Sequence, residues 1–168
     1  MRDKKGQLWI SAALYMALGI ILVSLILSVG LPFVNKIKER NVVLQTKDVM
    51  FSLDKIISEV NLEGKGSRRP ILIDIGEGEF TIDNADNIIQ WSFISEDRLG
   101  IESDVDIYEG SLLIRSDKLG QGYNIKLVLD YENRVDLAAE NSVRTISGTY
   151  NLVVEHGETD QIIIKESS

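Results

Sequence analysis

The hydrophobic pattern of this chain changes character twice. Residues 6 to 35 contain no charged side chain, and from Leu8 to Val34 the apolar residues fall on every face of a helix rather than on one. The run exceeds the ~20 apolar residues that carry a helix across ~30 Å of hydrocarbon. Trp9 and Tyr15 sit near its start, where amphipathic rings suit a membrane interface. Pro32 comes near its end. It removes a backbone donor and crowds the preceding turn, so a kink or local melting is expected there.

Beyond the proline the chain becomes amphipathic. Val42, Val49, Leu53, Ile56 and Val60 recur at three-, four- and seven-residue spacings, with Lys36, Lys38, Arg40, Lys47, Asp48, Asp54, Lys55 and Glu59 filling much of the rest. The helix is expected to stop between Leu62 and Gly66, where Gly64 and Gly66 supply a helix terminus and Pro70 cannot continue it.

From Pro70 the period is two. Strands are predicted over 71–75, 79–82, 88–94, 111–114, 123–129, 149–154 and 162–164, separated by Gly- and Asx-rich turns at Gly76, Gly110, Gly120, Gly122 and Gly157. Glu109-Gly110 and His156-Gly157 read as hairpin tips. The expected fold class is α+β: a long N-terminal transmembrane and amphipathic helix, then an antiparallel β-rich head built as a small sheet or sandwich.

Composition narrows the function. The formal net charge is −8; Arg2, Asp3, Lys4 and Lys5 together contribute +2, so residues 6–168 carry −10. Such a surface disfavours nucleic acid, whose phosphates need clustered Lys and Arg. Cysteine is absent, which removes disulfides, thiolate nucleophiles and Cys metal sites. A secretory signal peptide would have a shorter apolar core followed by a small-residue cleavage site, whereas here the small residue Gly6 precedes the run.

A positively charged start ending in Lys5-Gly6, then Gln7, then a long apolar helix passing into an amphipathic one and a β-rich head, resembles the archaeal type IV pilin-like class with its class III signal peptide. The resemblance covers the first sixty or so residues. It implies that a prepilin peptidase reads Lys5-Gly6 and cuts the Gly6-Gln7 bond, leaving Gln7 as the first mature residue. The implied organisation is a leader over 1–6, a transmembrane and filament-core helix over 7–35, its amphipathic continuation over 36–66 and an extracellular head over 67–168. The implied partners are the membrane, the peptidase, the pilus assembly machinery and other copies of the chain through their N-terminal helices. Assembly would use Ser11, Ala13, Ala17, Gly19, Ser24, Ser28, Gly30 and Pro32. Ala13/Ala17 and Ser24/Ser28 are small-x-x-x-small pairs that permit close helix approach. Many members of the class carry glutamate at the fifth mature position, where this chain has Ser11; a hydroxyl is cheaper to bury than a carboxylate but cannot neutralise an ammonium.

The expected function is therefore that of a structural subunit or minor component of a cell-surface filament, without catalysis, cofactor or metal. The alternative is a single-span surface protein whose β-domain binds a ligand or partner and does not polymerise. His156, the only histidine, reads as a solvated turn residue, and no Gly-x-Ser-x-Gly elbow exists to receive it as a base. Glu102, Asp104 and Asp106 alternate with Ile101, Ser103, Val105 and Ile107, which places three carboxylates on the solvated face of an extended strand. Asp83-Asn84-Ala85-Asp86-Asn87 reads as an acidic turn, and Trp91 and Phe93 as core residues sharing a face with Ile89.

Overall fold

The computed structural model describes residues 4–139 and 143–167, with side chains over 9–139 and 148–167. One α-helix, α1 (Lys4–Glu63), precedes eight strands: β1 (Arg68–Asp83), β2 (Ile88–Ser95), β3 (Ile107–Glu109), β4 (Leu112–Leu119), β5 (Gly122–Asp130), β6 (Asp136–Ala139), β7 (Val143–His156) and β8 (Gln161–Glu166). The architecture is α+β, a long N-terminal helix followed by a mostly antiparallel sheet. The chain divides after Lys38 into two compact units, the first helical and the second holding the rest of α1 with the whole sheet.

The helix runs through Pro32, so the expected local melting does not occur. Proline removes one rung of the ladder, at about 3 kcal/mol or more. Breaking the helix there would instead strand about four donors and four acceptors in a segment with few polar groups to satisfy them. The C-terminus lies where Gly64 and Gly66 predict it. Gly64 has φ +85°, and the Val60 carbonyl accepts from its amide at 3.3 Å and from Ser67 Oγ at 2.8 Å.

The strands form a single sheet in the order β3-β4-β5-β2-β1-β7-β8-β6, antiparallel throughout except for the β6–β8 pair. A sandwich is not formed, because the layer opposite the sheet is supplied by α1. Val42, Val43, Met50, Leu53, Ile57 and Val60 join Ile73, Phe80, Trp91, Leu127, Leu152 and Ile162 in one core. Strand alternation follows: in β1, Ile71, Ile73 and Ile75 are buried, whereas Leu72 and Asp74 are exposed.

The two runs expected as separate strands, 71–75 and 79–82, belong to one strand interrupted by a bulge. Register with β7 shifts between Ile75↔Gly148 and Phe80↔Ile146. Trp91 explains why Gly76-Glu77-Gly78 bulges instead of turning. Its Nε1 donates to the Glu77 carbonyl at 2.9 Å. A Cβ on Gly78, at φ +92°, would lie 2.6 Å from both that nitrogen and the Ser92 carbonyl oxygen.

β3 and β6, three and four residues long, were not anticipated. β6 is an edge strand whose amides find side-chain acceptors. Leu137 N donates to Asn87 Oδ1 at 2.9 Å and Ala139 N to Asn84 Oδ1 at 3.0 Å. The acidic turn between β1 and β2 thus caps a sheet edge that would otherwise invite pairing.

Candidate functional site

The feature that demands a function is the first part of α1. Eighteen large apolar side chains between Trp9 and Ile37 are 46–80% exposed. The most apolar eighteen-residue window has a mean hydropathy of 2.5 and no buried residue. At about 1.5–3 kcal/mol for each side chain moved between water and an apolar environment, leaving this surface wet would forgo roughly 30–50 kcal/mol. That exceeds the ~5–15 kcal/mol net stability of an ordinary domain. The segment is compatible with membrane anchoring, and its chemistry calls for an apolar surrounding.

The residues expected to act in processing and assembly all fall on α1. Lys5, Gly6 and Gln7 lie in its first two turns, with side chains outside the described residues; Met1, Arg2 and Asp3 of the leader also lie outside them. Ser11, Ala13, Ala17, Gly19, Ser24, Ser28 and Pro32 are exposed, and Gly30 is half-exposed. Helical phase joins the two small-residue pairs: positions 13, 17, 24 and 28 fall within about 60° of one another at ~100° per residue. They form one stripe, while Gly19 and Gly30 share another face and Ser11 belongs to neither. A Cβ at Gly19 or Gly30 would meet nothing within 4 Å. Ser28 Oγ donates to the Ser24 carbonyl at 2.7 Å, so this hydroxyl is satisfied by its own helix.

The second part of α1 is fastened to the sheet by polar contacts that the hydrophobic pattern did not reveal. Asp54 is the centre. Its Oδ1 accepts from Tyr131 Oη at 2.8 Å, its Oδ2 from Ser111 Oγ at 2.7 Å, and Arg134 lies 3.3 Å from Oδ1. Burial, reinforced by the Asp54 charge and hydrogen bond, pushes the Tyr131 hydroxyl far above its ordinary pKa, against the opposing charge of Arg134. Lys47 pairs with Glu109 at 2.6 Å, and Ser95 Oγ donates to Glu39 Oε2 at 2.6 Å. Arg69 pairs with Glu59 at 3.0 Å and with Glu63. The bond with Arg69 holds the Glu63 carboxyl below the usual carboxylate range.

Two other expectations are corrected. Glu102, Asp104 and Asp106 occupy a loop ahead of β3, not a strand face. Asp104 adopts φ +59° while its amide donates to the Ser116 carbonyl, and Asp106 pairs with Arg115 at 3.3 Å. Among the described residues no three His, Asp or Glu side chains converge to hold a metal. His156 is not a solvated turn residue. It ends β7 opposite Ile162 and is 5% exposed, with Nε2 3.0 Å from Asp160 Oδ1. Its parity with Leu152 and Val154 directs it into the core, a signal already present in the sequence. Trp91 is fully buried as expected; Phe93, partly buried, stacks on it at 5.7 Å between centroids.

Comparison with models of known protein families, with characterised proteins and with solved structures finds no match to this chain.

Proposed function

We propose that this chain is a structural subunit or minor component of an archaeal type IV pilus-like surface filament, processed after Gly6 and assembled through its N-terminal helix. The observation that carries the reading is the charge-free apolar stretch of α1, whose most apolar window has no buried residue, in the same helix whose later part packs on a β-sheet. Lipid can cover that stretch before assembly, and the same stretch of neighbouring copies can cover it afterwards. The stripe of Ala13, Ala17, Ser24 and Ser28 supports the second step, since small side chains let helix axes approach closely. A repeated head-to-tail contact that does not close generates a filament instead of a ring.

Two measurements test this. N-terminal sequencing of the mature protein is expected to begin at Gln7. Electron microscopy of cells is expected to show filaments that vanish when Gly6→Leu blocks processing. A mature chain beginning at Met1 or Arg2 would overturn the reading. Processing without filaments containing this chain would favour the non-polymerising, single-span surface protein.

A further inference from the structure

On the head, the turn joining β5 to β6 separates two open clefts. One, of about 510 Å³, is lined by Tyr108, Ser111, Asp130, Asn133 and Arg134. The other, of about 400 Å³, shares Asn133 and Arg134 and adds Asn61, Glu132, Asp136 and Asp160. Asn133 and Arg134 therefore border both spaces. Arg134 is held in place from the protein side. Its Cζ lies 5.0 Å from the Tyr131 ring centroid, and Nη2 lies 3.3 Å from both Asp54 Oδ1 and Ser58 Oγ. The side chain is still 42% exposed, leaving donors for a ligand without a fresh ordering cost.

The lining restricts what can bind. Asp130, Glu132, Asp136 and Asp160 outnumber Arg134, whose charge Asp54 already balances, so a phosphate, sulfate or carboxylate ligand is repelled. A small cation is not chelated either. The carboxylates do not converge, and three are engaged elsewhere: Asp130 accepts from the Glu132 amide, Asp136 from Gln161 and Asp160 bonds His156. The smaller cleft has mainly polar walls and the larger one mixes polar and apolar surface, so a purely apolar ligand fits neither well. The lining residues bring amide, carboxylate, hydroxyl and guanidinium groups beside apolar surface, a mixture suited to the hydroxyls and C–H faces of a neutral sugar. Tyr108 adds a flat aromatic ring, 68% exposed and not needed by the core. Such a ring offers a stacking surface to the C–H face of a pyranose.

We infer that the two clefts are adjoining subsites for a neutral oligosaccharide, with Tyr108 stacking on one pyranose ring and Asn133 and Arg134 hydrogen-bonding hydroxyls on both sides of the turn. The site is independent of filament formation. The test uses the full chain in detergent micelles against a panel of neutral gluco-, galacto-, manno- and N-acetylglucosamine oligosaccharides, with sialylated and sulfated glycans and spermine as rivals. Neutral glycans are expected to bind, with saturation transfer to their ring C–H protons. Tyr108→Ala is expected to weaken binding about tenfold or more, Tyr108→Phe to keep it within about threefold, and Asn133→Ala to weaken it with an unchanged melting temperature. No neutral glycan bound at millimolar concentration would overturn the proposal. So would undiminished binding in Tyr108→Ala, or a preference for acidic glycans or spermine. The melting temperature of each variant separates loss of the site from loss of the fold.

Discussion

The two parts of α1 are built from the same kinds of side chain and meet opposite fates. Met50, Leu53, Ile57 and Val60 are fully buried, whereas Leu14, Leu18, Leu22 and Ile26 are 49–70% exposed. The difference lies in arrangement rather than in hydrophobicity. Apolar residues after Val42 gather on one arc and leave the rest of the circumference to Lys, Asp, Ser and Glu, so a single sheet face covers what needs covering. Before Val34 no polar arc exists. A sheet could cover only one side of such a helix, and only a medium that surrounds it can cover the whole.

The comparison can be broken first at its buried end. Leu53→Ala deletes a side chain with no exposure and leaves a cavity between helix and sheet. It is expected to lower head stability by about 2–5 kcal/mol, a drop in Tm of roughly 10 °C, without altering the membrane fraction of the protein. Leu22→Arg probes the other end. Leu22 is 52% exposed and contributes nothing to the head core. The substitution is expected to leave the head's Tm within about 1 °C of the parent while opposing membrane insertion by about 2.5–3.5 kcal/mol, read from membrane fractionation. Should Leu22→Arg melt the head as Leu53→Ala does, the contrast between the two parts fails.

What could be read from the chain follows the same division. Period and composition located α1, its end near Gly64 and six of the eight strands, because each of those features repeats a simple alternation over several residues. The bulge in β1 was hidden because Gly76 and Gly78 look like turn glycines until Trp91, more than a dozen residues on, is seen to claim the Glu77 carbonyl. β6 was hidden because four residues carry too little pattern, and its pairing depends on Asn84 and Asn87 some fifty positions earlier. Of the candidate sites, the apolar stretch was plain. The Asp54 cluster and the clefts beside Arg134 were not, since they gather single polar residues from distant parts of the chain, a convergence that no local spacing encodes.

The Asp54 cluster allows the finest test, because it adds a polar lock to the apolar seat of the second part of α1. Tyr131 is fully buried, and its hydroxyl donates to Asp54 Oδ1 at 2.8 Å. Desolvation first, then the Asp54 charge and hydrogen bond, raise its pKa above the ordinary value of 10.0. The folded head therefore keeps this proton at pH values where the unfolded chain releases it. That contribution to stability is complete below pH 10 and is lost as pH rises above it, at up to about 1.4 kcal/mol per pH unit. Tyr131→Phe removes the titrating group. It is expected to lower neutral-pH stability by about 1–2 kcal/mol, since Asp54 retains Ser111 and Arg134, and to flatten the decline above pH 10 by the slope that Tyr131 supplied. Chemical denaturation of the two proteins between pH 8 and pH 11 measures both effects. Coincident stability curves across that range would show that the Tyr131 hydroxyl contributes nothing to holding the helix on the sheet.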